Sequence, residues 1–170
     1  MKIIQITGYK NSGKTTLSTK IIETFTETGL KVGSLKHHGH GGIPLGFSNT
    51  DSEKHRRAGA AIAGVEGEGV FQFSAPDLSL EQMIDFYCFM KIDVLVVEGF
   101  KDQSLPKLVL LSRKRDQLLL DRVKNIKAVV SPFTLEEAAA YPTFKRDETD
   151  ALLSWLKQDM IDNKSDYAWK

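Results

Sequence analysis

Residues 8–15 read Gly-Tyr-Lys-Asn-Ser-Gly-Lys-Thr, a G-x-x-x-x-G-K-T octet, and no other stretch limits the fold so tightly. An apolar, β-branched run, Lys2-Ile3-Ile4-Gln5-Ile6-Thr7, precedes it. After it, Leu17, Ile21, Ile22 and Phe25 recur at helical spacing in a stretch that runs to Thr28. A loop of this composition between a strand and a helix is a phosphate cradle. Gly8 and Gly13 admit backbone geometry closed to residues with a Cβ. Amides along the loop, through Asn11, Ser12 and Gly13 to Thr15 and Thr16, can then converge on phosphate oxygens at the positive end of the helix. Lys14 supplies a point charge for β- and γ-phosphates, and Thr15 offers its hydroxyl to Mg²⁺. The competing interpretation is a plain glycine-rich turn entering a helix, and the flanking strand and helix argue against it.

A chain of 170 residues has room for one compact domain with a real core and hardly for two, so residues 1–170 are read as a single nucleotide-binding domain. A net charge of +1 gives no excess that would draw nucleic acid or a membrane surface. Cys88, the sole cysteine, excludes an intramolecular disulfide and suits a reducing cytosol. Met1 leads directly into a strand without a signal-peptide pattern, so a cytoplasmic location is expected. No apolar run is long enough to span a bilayer.

Downstream, Gly29 reads as a helix C-cap and Lys31–Lys36 as a second, parallel strand. Residues 37–51 have no sustained period and carry Gly39, Gly41, Gly42, Pro44 and Gly46. So long a loop in a compact domain tends to be functional. His37, His38 and His40 within it either bind a transition metal or form a polar, phosphate-facing or solvated loop. Asp51 is read two ways: as N-cap, with Ser52 the other candidate, of a short helix through Ala60, or as a carboxylate facing Mg²⁺ or its waters. Arg56 and Arg57 are either solvated or turned toward an anion. Residues 61–73 read as a hairpin turning at Gly67-Glu68-Gly69. Ser79 and Gln82 form a capping box for the next helix.

Val94-Leu95-Val96-Val97 is a strand buried on both faces, and Glu98 at its C-terminal end reads as a carboxylate for Mg²⁺ or for the attacking water. Further strands are expected at 105–111, 126–130 and 142–145. Ser112 and Ser131 follow the first two of these, and Asp116 sits where an acid would read a guanine edge in a partial match to N-K-x-D. A solvated charged turn is the other interpretation of Lys114-Arg115-Asp116. Thr134 with Glu137 is expected to cap a short helix, Asp147 to cap the last long one, and residues from Asn163 to form a frayed or partner-dependent tail. Alternating strands and helices predict an α/β fold with a mostly parallel sheet covered on both faces, and its ligand edge collects the loops after the strands.

The octet with Thr16-Leu17, then Leu35-Lys36-His37-His38-Gly39-His40, Thr50-Asp51-Ser52, Val96-Val97-Glu98-Gly99-Phe100-Lys101 and Pro106-Lys107, resembles the MobB family in order and spacing. MobB proteins are adapters of molybdopterin-guanine dinucleotide biosynthesis, and the likeness runs from Lys2 to about Leu156. The resemblance implies a P-loop protein that binds GTP with Mg²⁺, hydrolyses it weakly, and forms a homodimer in which the 61–73 hairpin is a candidate element. It implies a partnership with the guanylyltransferase MobA, which joins GMP to molybdopterin, and a nucleotide- or pterin-facing role for the histidine loop and Asp51-Ser52. On this reading Lys14, Glu98 and Asp51 carry any catalysis, and Thr15, Glu98 and Asp51 attend the metal. Two other functions fit the same loop: a small-molecule kinase using ATP with Asp51 as base, and a metallochaperone GTPase using the histidines.

Overall fold

The computed structural model describes residues 1–38, 50–135 and 141–169. They contain β1 (Lys2–Gly8), α1 (Lys14–Thr26), β2 (Val32–Lys36), α2 (Asp51–Arg57), β3 (Ala63–Gly67), β4 (Val70–Ser74), α3 (Leu80–Phe89), β5 (Val94–Glu98) and β6 (Lys107–Leu110). A 3₁₀ helix (Lys114–Leu119), β7 (Ile126–Val130), β8 (Thr143–Phe144), α4 (Thr149–Asp162) and α5 (Lys164–Tyr167) follow. Two compact units result: Met1–His37 with Tyr87–Lys170, and His38–Phe86.

The first unit is a six-stranded, all-parallel sheet in the order β2-β5-β1-β6-β7-β8. Its strands are short apolar runs because both faces are covered. On one face Ile4 and Ile6 of β1, with Val96 and Leu110, meet Ile21 and Phe25 of α1 and Leu156 of α4. On the other, Val109, Leu111 and Val129 pack under Leu119 and Val123, which the 3₁₀ helix and the turn after it supply. Each fully buried Leu or Ile contributes about 1.5–3 kcal/mol. Near the sheet margin, the Tyr87 ring lies over Gly33, where a Cβ would sit 2.7 Å from Cδ1, and its hydroxyl donates to the Ser34 carbonyl at 2.5 Å. β1 and β6 are neighbours, and the connection after β1 runs toward β2 while the one after β6 runs the opposite way, toward β7. A cleft forms at such a point, beyond the C-terminal ends of the strands.

The second unit holds α2, the β3–β4 hairpin and most of α3. The hairpin turns through Glu68 and Gly69, both at positive φ (50° and 77°). This is the mirror-image turn that matches strand twist. The Ser79–Gln82 capping box forms as expected, each residue's amide donating to the other's side chain at 2.9 and 3.2 Å.

Three local expectations give way. Thr50 caps α2, its Oγ1 accepting the Glu53 amide at 3.2 Å, so Asp51 and Ser52 are already helical. A Thr hydroxyl at extended φ/ψ reaches N3 as well as an Asp does. Asp147 does not cap α4; the preceding residue of that helix is Glu148, whose carboxylate accepts the Lys145 amide at 2.8 Å. The tail is not frayed: α5 brings Tyr167 into the core at 1% exposure, and its hydroxyl donates to Asp159. An aromatic anchor with a polar tip ordered it. The Thr134–Glu137 box and residues 39–49, with His40, lie outside the described residues.

Candidate phosphate-binding site

The loop after β1 takes its shape from three positions. Gly8 faces the neighbouring strand so closely that a Cβ would lie 2.6 Å from the Leu110 carbonyl oxygen and 2.6 Å from Ser12 Oγ. Asn11 (φ 62°) and Gly13 (φ 90°) are left-handed, which turns the chain into α1. No side chain caps the start of α1, and no acid stands in its first turn. Among the described residues the first amides of the helix therefore have no intrahelical or side-chain partner, and they carry the positive end of its dipole. The buried Ser12 hydroxyl likewise has no partner among the described residues.

Charge converges on the same spot. Lys14 Nζ crosses the loop to donate to the Tyr9 carbonyl at 2.7 Å. Burial pushes its ammonium below the ordinary lysine range; the Glu98 carboxylate opposes that, and Lys101 and Lys36 add to it. Glu98, 8% exposed, ends β5 beside β1, and the Thr15 hydroxyl lies 3.1 Å from both its carboxylate oxygens. Lys36 ends β2 opposite Glu98 in register, and its ammonium reaches Glu98 Oε1 at 3.2 Å and Thr15 Oγ1 at 3.1 Å. Lys101 Nζ stands 4.6 Å over the Tyr9 ring. A hydroxyl and a carboxylate converging on one ammonium form an oxygen-rich seat that suits a hard divalent cation. Thr15 and Glu98 thus fit the Mg²⁺ that a phosphate cradle implies.

The main chain behind Glu98 is fixed from within the sheet. The buried Gln5 amide donates to the carbonyls of Gly99 (2.5 Å) and Phe100 (2.7 Å), while Gly99 (φ 95°) and Phe100 (φ 51°) turn left-handed. A Cβ on Gly99 would come within 3.0 Å of His37 Cβ, so only glycine lets the two chains approach.

Two clefts flank the loop. One, of about 640 Å³, has Tyr9, Lys10 and Asn11 on one wall and Ser112, Arg113 and Arg115 on the other. The second, about 250 Å³, runs past Ser12, Gly13 and Thr16 to Lys20, Lys145 and Arg146. Asp116 borders the larger cleft but is committed to its own turn: Oδ2 accepts the amides of Ser112 and Arg113 at 2.9 and 3.0 Å. Ser131 is buried, and its hydroxyl closes a turn by donating to the Phe133 carbonyl at 2.7 Å. Asp51 belongs to the second unit and pairs with Lys54 at 2.7 Å. Arg56 and Arg57 in that unit both hold Glu53, at 2.7 and 2.9 Å. Among the described residues no three His, Cys, Asp or Glu side chains gather as a metal site.

Sequence reasoning missed Lys36 and Arg146. Arg146 Nη2 donates to Ser112 Oγ at 2.8 Å and to the carbonyls of Ser12 and Leu111 at 3.3 Å, tying the loop to the end of β6. A signal for both existed: each follows or ends a parallel strand at the ligand edge.

A parallel sheet with a glycine-lysine-threonine cradle at its reversal point, helices on both faces and a small antiparallel hairpin is the architecture of a P-loop NTPase-like α/β protein. The comparisons narrow the class. The family model described as MobB, molybdopterin guanine dinucleotide synthesis protein B, matches residues 3–132. A Bacillus subtilis protein named a probable molybdopterin-guanine dinucleotide biosynthesis adapter protein is 40% identical over 162 residues, spanning 91% of this chain and 93% of its own. The crystal structure of Bacillus subtilis MobB superposes with a TM-score of 0.78 at 39% identity, covering 93% of this chain and 98% of that one. The MobB homolog from Bacillus stearothermophilus gives 0.77 at 31% identity, with 95% and 99% covered. The chain belongs to the MobB family of molybdopterin-guanine dinucleotide biosynthesis adapters.

Proposed function

We propose that this protein binds Mg²⁺·GTP at residues Gly8–Thr16 and serves as an adapter to the guanylyltransferase, MobA-like, that joins GMP to molybdopterin. The observation that carries the reading is the convergence of uncapped α1 amides, Lys14 and the Thr15–Glu98 oxygen pair at the reversal point of the sheet. Gly8, Asn11, Ser12, Gly13 and Thr16 enclose the β- and γ-phosphates with their main chain. Lys14 exchanges the Tyr9 carbonyl for phosphate oxygens. Thr15 and Glu98 would hold the ion, which would supply positive charge to neutralise the phosphate oxygens. Ser112 and the second oxygen of Asp116 attend the base, Ser131 being committed to its own turn, and Arg146 steadies the loop between them.

Hydrolysis on this reading is in-line attack by water, driven by positioning and charge neutralisation. Arg146 beside the loop is committed to Ser112 Oγ and to the Ser12 and Leu111 carbonyls, so slow turnover is expected. The exposed apolar side chains Ile62, Val65, Val70 and Phe71 make the hairpin the contact of a homodimer, and the protein works in the cytoplasm, on molybdopterin directly or through its partner. No described helix is long and apolar enough to cross a membrane.

Calorimetry with GTP, ATP and their diphosphates, with and without Mg²⁺, tests the nucleotide reading. GTP binding that Mg²⁺ strengthens is expected, with affinity abolished in Lys14→Ala while the unfolding transition stays cooperative. Undiminished GTP affinity in Lys14→Ala overturns it.

A further inference from the structure

The Thr15–Glu98 pair already holds a cation, and it belongs to the protein. Lys36 Nζ lies 3.1 Å from Thr15 Oγ1 and 3.2 Å from Glu98 Oε1, the two oxygens that the nucleotide reading gives to the metal. Thr15 and Glu98 are themselves 3.1 Å apart. An ammonium and a divalent ion cannot share those oxygens at such separations, because both are cations competing for the same lone pairs. The lysine has somewhere to go: its side chain is 57% exposed, against 11% for that of Glu98. It comes from the last residue of β2, paired in register with Glu98, so its anchor is fixed by the sheet while its stem is free.

The same site gathers three ammonium groups, Lys36 and Lys101 both acting on the charge of Lys14, with the Glu98 carboxylate opposing them. That balance suits a polyanion arriving with its own counter-ion only if one of the three gives way.

We propose that Lys36 is a built-in occupant of the metal seat, which neutralises Glu98 and orients Thr15 in the free protein and is displaced when the metal–nucleotide complex binds. This deepens the nucleotide reading and rests on it. The displacement sets a cost on metal entry and leaves metal-free nucleotide partly held by Lys36. Metal dependence is therefore tuned by a residue outside the glycine-rich loop.

The test is GTP affinity by calorimetry across a Mg²⁺ series that begins in EDTA, for the wild type, Lys36→Met, Lys36→Gln and Lys101→Met. The ratio of the dissociation constants in EDTA and in saturating Mg²⁺ is the readout. Both Lys36 variants raise that ratio, by about tenfold, the effect of removing one unit charge about 6 Å, the reach of a displaced lysine, from a divalent ion in a water-like dielectric. Lys101→Met, which removes the same charge without vacating the seat, weakens binding alike at both ends and leaves the ratio unchanged. If Lys36→Met and Lys36→Gln keep the wild-type ratio, or shift it no more than Lys101→Met does, displacement is wrong while the nucleotide site stands. If the wild type binds no GTP under any condition, both fall together.

Discussion

Gly8 and Gly13 look alike in the motif, yet an added methyl group meets different obstacles at the two. At Gly8 the Cβ would stand 2.6 Å from the Leu110 carbonyl oxygen and 3.3 Å from Leu110 Cβ, both on β6 and 0–4% exposed in their neighbourhood, while φ, at 159°, lies near the extended region. The penalty there is steric and falls on a central strand that β1 and β7 hold from both sides. Overpacking of this kind costs typically about 1–3 kcal/mol, and a backbone oxygen 2.6 Å away puts Gly8→Ala at the upper end. At Gly13 no described residue lies within 4 Å of the added atom, so the left-handed backbone, at φ 90°, is what resists. That costs about 1–2 kcal/mol. Guanidinium unfolding at equilibrium separates the two effects: both variants lower the midpoint with an unchanged m value, Gly8→Ala by more. In a chain of this size the Gly8→Ala loss corresponds to a melting point lower by about 5–10 °C. If Gly13→Ala costs as much as Gly8→Ala or more, the steric argument for the first glycine is refuted.

Glu53 gives a pH signature. The Arg56 and Arg57 guanidiniums hydrogen-bonded to it hold its carboxyl at about 2, below the ordinary 4.5. A carboxylate whose folded-state value is depressed stabilises fully above its ordinary value and loses that contribution as pH falls through the folded one. The stability difference between wild type and Glu53→Gln, followed by thermal unfolding, should therefore be constant above pH 4.5 and shrink toward pH 2; a difference that stays flat across that window contradicts the pairing. Tyr167 tests the docked tail: burial, then the Asp159 hydrogen bond, pushes its hydroxyl above the ordinary tyrosine range. Tyr167→Phe should cost about 1.5–3 kcal/mol through the lost bond to a charged group, and Tyr167→Ala about 3–5 kcal/mol, in denaturant titrations. Wild-type stability in Tyr167→Ala would return the tail to the frayed state that its sequence suggests.

The parallel sheet, the cradle and Glu98 were legible because each is encoded locally. Val94–Val97 are four apolar residues in a row, and the octet carries its own strand and helix. The family followed from the order of short motifs rather than from any one of them. What escaped depends on side chains meeting across the sheet. Lys36 is an ordinary strand-end lysine until register sets it against Glu98. Arg146 is one more basic residue until β8 places it over Ser12 and Ser112. Tyr167 sits in a polar tail, Asn163-Lys164-Ser165-Asp166, whose composition hides a single deep anchor. Caps were misplaced by a residue or so for a related reason: Thr50, Asp51 and Ser52 are all competent, and only the path of the incoming chain chooses among them.

Gln5 has a consequence for the thermodynamics of ligand capture. Its amide, inside β1, staples the peptide units that follow Glu98, so the acid keeps its address whether or not anything is bound. The main chain that carries Glu98 then does not have to be frozen on association. On the proposed nucleotide reading, reorganisation would fall instead on two ammonium arms, Lys14 and Lys36, each trading one oxygen partner for another. If the nucleotide reading holds, such a pocket would receive its guest on a pre-set main chain with exchangeable counter-charges. Its readiness can be altered by editing a residue that no guest would ever touch.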